Sequence, residues 1–345
     1  MITAIYKEKE KFMKSESKYI FSKGDLTRQD FSIKYKNEIG NFYLPIEKIK
    51  EIYCFNELTL STKLLDILST TGIIVHFFNY YENYIGTFYP KKSLISGRLT
   101  VKQAITFENN RLDIAKAIVR GIAKNIRFVV YHYYRHNVKQ LKESIYFYNK
   151  DVEKLLENAR DIKQVLSVEG KIWATFYSTF KYFLPEDFVI NKRVKRPPDN
   201  PMNALISFGN TLLYTKTISQ IYNTHLEQSI SFLHEPSEGR FSLSLDLSEV
   251  FKPVIVFKTI FDLVNNKKIN VEKHFEENLN YSLLNENGKK IFIQAFEDRI
   301  NQTFEHPKLN RRITYKQAIN LDGYKLIKYI MEGKEFIPFD LEKKG

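Results

Sequence analysis

The sequence has 345 residues, more than one hydrophobic core usually serves, so two domains are expected. Lysine and arginine outnumber aspartate and glutamate 53 to 40, giving a net charge of +13. That charge favours a polyanionic partner through counterion release, although a lysine-heavy, AT-rich genome would produce the same bias. The single cysteine, Cys54, excludes an internal disulfide and a thiolate metal cluster within one chain. The polar start Met1–Ser15 lacks the apolar core of a signal peptide, and no stretch approaches ~20 continuous apolar residues, so a soluble cytoplasmic protein is expected.

In chain order, residues 1–17 read as a polar, lysine-rich extension. Tyr19-Ile20-Phe21 is a short apolar run ending at a turn signal, Lys23-Gly24-Asp25. Phe31, Ile33 and Tyr35 alternate with Ser32 and Lys34, the period of a half-buried strand. Leu64, Leu65, Ile67 and Leu68 make one face of a short helix that Gly72 would cap. Ile73–Phe78 and Tyr84–Tyr89 read as strands, and Pro90-Lys91-Lys92-Ser93 breaks the pattern. Helical spacing then takes over, with helices expected at about 98–139, 141–157, 161–182, 201–230, 246–264, 288–304 and 314–332. The basic stretch Asn191–Pro198 is the clearest linker. The expected fold class is α+β: a small β-rich domain over 1–92, then a larger all-α domain over 93–345 that carries the chemistry. Strands and helices do not alternate as they would in a parallel α/β fold.

Several site types are absent. There is no P-loop, no glycine-rich dinucleotide motif, no H-E-x-x-H and no nucleophile elbow. What remains is a set of acids and a histidine. Glu169 lies in a helix with Ala174, Phe176 and Tyr177 and precedes Gly170, which would permit close approach; a solvated glutamate is the competing reading. His234, in Phe232–Pro236, reads alone as a helix-end cap. Asp246 and Glu249 have the spacing of an N-cap and its N3 partner in a capping box. Taken together, two carboxylates and an imidazole form a mixed O/N donor set of charge −2, suited to Mg²⁺ or Mn²⁺. Such an ion polarises a phosphodiester and activates an oxygen nucleophile. Arg193, Lys195, Arg196, Arg240 and Lys252 stand nearby in sequence as candidate DNA contacts, each also readable as a solvated loop residue.

The segments SVEGKIWATFY, NPMNALISFGNTLLYT, SFLHEPSEGRFSLSLDLSEVFKP and LNENGKKIF, in this order, resemble the CRISPR-associated integrase family of spacer acquisition. LPIEKIKEIYCF, GIIVHFF and SGRLTVKQA extend the likeness to nearly the whole chain after about Lys18. The resemblance implies an N-terminal β domain and a C-terminal helical domain. It implies a homodimer that joins the second CRISPR-associated adaptation protein, double-stranded DNA as substrate, and a Mg²⁺ or Mn²⁺ site. By this likeness Glu169, His234 and Glu249 are the metal ligands, Asp246 is a supporting acid or alternative ligand, and Asn203 is a polar group behind the site. Lys252 departs from the family pattern, which has arginine there; lysine keeps the charge and loses the planar fork. The implied activity is DNA cutting and joining by 3′-hydroxyl attack on a phosphodiester. The alternative is a basic nucleic-acid-binding module without catalysis, and a third reading is a helical scaffold.

Overall fold

The computed structural model describes residues 16–79, 81–90, 96–136, 138–190, 192–195, 197–236, 240–276, 281–306, 309 and 311–341. The chain divides into two units, Met1–Ile95 and Ser96–Gly345.

Alternating apolar residues in the first unit give eight strands: β1 (Glu16–Ile20), β2 (Gly24–Gln29), β3 (Ser32–Asn37), β4 (Gly40–Pro45), β5 (Ile49–Cys54), β6 (Leu58–Leu60), β7 (Ile74–Phe78) and β8 (Tyr84–Phe88). They form two four-stranded sheets, ordered β4-β3-β2-β6 and β1-β5-β7-β8. Leu26 and Ile33 of the first sheet and Ile52, Cys54 and Val75 of the second share a core with Leu64 and Leu68. Those leucines lie one turn apart on α1 (Thr62–Thr71), as their spacing requires. Ser61 caps α1 by accepting the Leu64 N–H, and Gly72 closes it at φ +76°, the left-handed conformation glycine adopts without strain. Gly24 is not the turn that its neighbours suggest. It opens β2, where a Cβ would lie 2.3 Å from the Lys36 carbonyl oxygen, so its role is close backbone approach. Cys54 is buried and free, and burial pushes its thiol up to about 12, which leaves it inert.

The second unit is mostly helical: α2 (Gly97–Arg135), α3 (Lys142–Tyr146), α4 (Val152–Asn158), α5 (Ile162–Ser178), α6 (Pro201–Tyr222), α7 (Ser242–Phe251), α8 (Lys258–Asn265), α9 (Val271–His274), α10 (Glu286–Ile300) and α11 (Tyr315–Glu332). Three helical expectations change. The helix expected over 201–230 stops at Tyr222, and residues 223–241 cross to α7 without an α-helix or strand among those described. The helix expected over 246–264 starts at Ser242 and carries a π-helical stretch, Pro253–Phe257. There the Phe257 N–H reaches back to the Lys252 carbonyl at 3.0 Å, the wider turn that accommodates a residue lacking its own N–H. The helix expected over 288–304 ends at Ile300, and β9 (Thr303–His306) pairs antiparallel with β10 (Arg311–Thr314), adding a short ribbon to the helical unit. No described helix is long and apolar enough to cross a membrane.

Candidate metal centre

The Asp161 side chain accepts the Gln164 N–H at 2.8 Å and starts α5. Val165, Val168, Ile172 and Phe176 recur at helical spacing and bury one side of the helix, with Glu169 half-buried beside them. Gly170 faces open space, so it serves no close approach, contrary to the expectation. Trp173, one turn beyond Glu169, donates its indole N–H to Glu169 Oε1 at 3.3 Å.

α7 is buried on nearly every side. Its serines fit because each hydroxyl finds an acceptor: Ser242 donates to the Ser229 carbonyl at 2.7 Å, Ser244 to Gln228 Oε1 at 2.6 Å, and Ser248 to the Leu245 carbonyl at 2.7 Å. Asp246 is not an N-cap. It stands one turn inside the helix, fully buried, and its two oxygens accept the backbone N–H groups of Phe232 (2.7 Å), Leu233 (2.7 Å) and His234 (3.0 Å). Asp246 Oδ1 also meets His234 Nδ1 at 2.8 Å. Both oxygens are therefore engaged by the histidine segment. A carboxylate at Nδ1 fixes the tautomer that carries its hydrogen there and exposes Nε2 as a donor.

One turn after Asp246 on the same face, Glu249 meets the other two residues. Glu169, His234 and Glu249 each offer a ligand atom, all within 4.8 Å of one another. Donors on opposite sides of one hard divalent ion, at bonds of about 2.1–2.4 Å, stand about 4.2–4.8 Å apart, so the set fits a single ion of that class. The electrostatics agree. Burial, and then the charge of Glu249, push the Glu169 carboxyl up to about 7, against the pull of His234, Lys252 and the Trp173 hydrogen bond. Burial alone would lower the His234 pKa, but the Asp246 hydrogen bond and charge, with Glu249 and Glu169, hold it above its ordinary value. A site that raises both kinds of group is short of positive charge, which a dication would supply.

Residues 18–298 match the family model described as CRISPR associated protein Cas1. The chain belongs to the Cas1 family. A relative in Methanobrevibacter ruminantium, CRISPR-associated protein Cas1 1, is 42% identical over 331 residues, covering 95% of this chain and 99% of its own. The CRISPR-associated endonuclease Cas1 of Fusobacterium nucleatum is 40% identical over 329 residues, 94% of this chain and 96% of its own. The solved structure of TM1797, a Cas1 protein from Thermotoga maritima, superposes with a TM-score of 0.81 at 36% identity, covering 93% of this chain and 98% of that one.

The remaining Cas1-like positions divide by what they touch. The Asn203 amide donates to the Lys192 carbonyl (3.2 Å) and to Asp199 Oδ1 (2.7 Å), and its Oδ1 accepts from Arg193 at 3.1 Å. It anchors the basic loop to α6. Arg193 reinforces that anchor. It also donates to Ser207 Oγ at 2.8 Å and to the Val194 carbonyl, so it holds its own loop. Lys252 pairs with Glu249, and Arg240 donates to the Glu235 carbonyl at 3.2 Å. Lys195 stays exposed. Partial burial of the ammonium, and then the neighbouring Lys252 charge, lower its pKa against the pull of Glu249 and Glu169. Arg196 lies outside the described residues. Sequence reasoning gave no role to Trp173, although its position one turn after Glu169 was a usable signal, or to Arg111, for which no local signal exists.

Proposed function

We propose that this chain is a divalent-metal-dependent DNA endonuclease and integrase that inserts short DNA fragments into a CRISPR array. The observation that carries this reading is the convergence of Glu169, His234 and Glu249 with Asp246 behind the histidine. A non-catalytic binding module or a helical scaffold has no use for that convergence. Glu169, Glu249 and His234 would hold Mg²⁺ or Mn²⁺, and the bound ion would polarise the scissile phosphodiester and lower the pKa of the attacking hydroxyl. Asp246 keeps a hydrogen on His234 Nδ1, so Nε2 is the nitrogen left to meet the ion once it has released its own proton. Lys195 offers an exposed cation to an incoming phosphate beside the two carboxylates. The 3′-hydroxyl of the fragment attacks a target phosphodiester; one phosphorus–oxygen bond forms as another breaks, and the strand's own 3′-oxygen leaves. The number of phosphodiesters is conserved, so no nucleotide cofactor is needed, in keeping with the absent P-loop. With water as the nucleophile the same residues support cleavage. The working assembly is a homodimer joined by the second CRISPR-associated adaptation protein on double-stranded DNA.

The test gives purified protein, with and without that partner, short duplexes with free 3′-hydroxyls, a supercoiled plasmid, and Mg²⁺ or Mn²⁺. Joining that Glu169→Gln, His234→Ala and Glu249→Gln each abolish, with DNA retention and melting behaviour preserved, establishes the activity and its site. Wild-type protein that retains DNA yet neither cuts nor joins it with either ion returns the reading to a binding module.

A further inference from the structure

His234 is the one candidate ligand that no regular element carries; residues 231–236 form no helix or strand. Its segment is gripped on two sides. The N–H groups of Phe232, Leu233 and His234 converge on Asp246. The carbonyls of the same three residues converge on Arg111 of α2. Arg111 Nε donates to the Phe232 carbonyl at 2.9 Å, and Nη2 donates to the Leu233 carbonyl at 3.4 Å and the His234 carbonyl at 3.2 Å. Nη1 pairs with Glu235 at 2.8 Å, and the guanidinium lies over the Phe107 ring, 4.7 Å from its centroid. The Arg111 side chain is only 15% exposed, whereas Glu235 is 72% exposed, so the guanidinium's inward partners are backbone carbonyls and not a buried acid.

We propose that Arg111 is a positioning residue of the metal centre, which fixes the His234 segment against Asp246 so that Nε2 meets Glu169 and Glu249. Arg111 touches neither the ligand atoms nor DNA in this role; it acts through the peptide groups that carry His234. The chemistry suits arginine. A planar fork reaches several carbonyls at once, and the compact ammonium of a lysine does not reproduce that geometry. Residues that support a ligand in this way commonly change metal affinity about ten- to hundredfold.

The inference rests on the metal-site reading, and the experiment separates the two. Trp173 is the only tryptophan in the chain and it hydrogen-bonds Glu169, so its fluorescence reports Mn²⁺ binding without any turnover. Full-length wild type, Arg111→Ala, Arg111→Lys, His234→Ala and the Arg111→Ala/His234→Ala double variant are titrated with Mn²⁺. Amide hydrogen exchange is followed in the metal-free proteins. Arg111→Ala is expected to weaken Mn²⁺ binding about ten- to hundredfold, with Arg111→Lys recovering only part. In the His234→Ala background the same substitution is expected to change nothing further, because its route to the ion is gone. Exchange is expected to accelerate at Phe232, Leu233 and His234 ahead of the flanking helices. Equal Mn²⁺ affinity in wild type and Arg111→Ala, or an equal loss with and without His234, overturns the positioning role. Wild type that binds no Mn²⁺ overturns the metal-site reading instead, while unchanged exchange at the three amides refutes the grip itself.

Discussion

The two carboxylates and the histidine reach the same place by different routes. Glu169 and Glu249 project from α5 and α7, whose backbones satisfy their own hydrogen bonds and whose apolar sides are buried. His234 has no such frame, and the chain before and after it is fastened by side chains from elsewhere. Arg111 and Asp246 hold residues 232–234, while Gln103 of α2 donates to the Glu227 and Ile230 carbonyls at 2.9 and 3.0 Å and accepts the Glu227 N–H at 3.0 Å. The difference teaches where the site is vulnerable. A helix-borne ligand fails when the helix fails, whereas the histidine fails whenever one distant polar side chain is lost.

Breaking this contrast at its strongest point means removing Asp246. Asp246→Ala strips three backbone N–H groups, two of them in fully buried bonds, and the His234 imidazole of their acceptor in one step. A loss of about 3–5 kcal/mol is expected, read as a fall in the denaturant midpoint; a loss below about 1 kcal/mol would mean that the segment rearranges freely. Asn203→Ala is the matching cut in the basic loop and should cost about 1–3 kcal/mol by leaving the Arg193 guanidinium short of an acceptor, with Mn²⁺ binding little changed.

The helix-borne candidate ligands should behave in the opposite sense. The unfolded chain releases the Glu169 proton near its ordinary pKa of 4.5, and the native, metal-free protein holds it until about 7. Across that window the native state binds the extra proton, so stability falls as pH rises and is level above about 7. Glu169→Gln removes the penalty and should stabilise the metal-free protein by on the order of 1 kcal/mol at pH 8, with no gain at pH 4.5. Melting curves at the two pH values decide this, and a variant less stable than wild type at pH 8 contradicts it. The same proton competes with the ion. Mn²⁺ affinity should therefore rise with pH as Glu169, and His234 with it, give up their protons, a dependence that Trp173 fluorescence follows directly and that Glu169→Gln should blunt.

Much of the fold is written in local pattern. The alternation through Ile33 and Tyr35, the leucines of α1 and the caps at Ser61 and Gly72 all depend on neighbours within a few residues, and they stand where the spacing puts them. The site's residue types and order were legible for the same reason that a motif is: short segments carry them. What local pattern misses is allegiance over distance. Asp246 and Glu249 have the spacing of a capping box, yet the acid's partners lie 12 to 14 residues away, so the cap reading fails. A true capping box stands at Thr314 and Gln317, where nothing distant competes for either side chain. Arg111 is more than a hundred residues from the carbonyls it holds, beyond any spacing argument. The β9–β10 ribbon was missed because four-residue strands give too few alternations to outvote the helix before them.

The π-helical stretch Pro253–Phe257 follows Glu249 by a single turn. An α-helix advances about 100° per residue, so one uninterrupted rod would lock the azimuth of everything after α7 to that of Glu249. The wider turn adds a residue to the circuit and resets the phase. On the near side the azimuth answers to the ligands. On the far side Phe257 and Phe261 settle among Phe176 and Phe180, at centroid distances from 5.0 to 6.1 Å. The stretch works as a clutch between two sections of one shaft: a one-residue deletion there would turn either the glutamate away from its companions or the phenylalanines away from theirs, whereas the present length lets chemistry and packing be tuned separately.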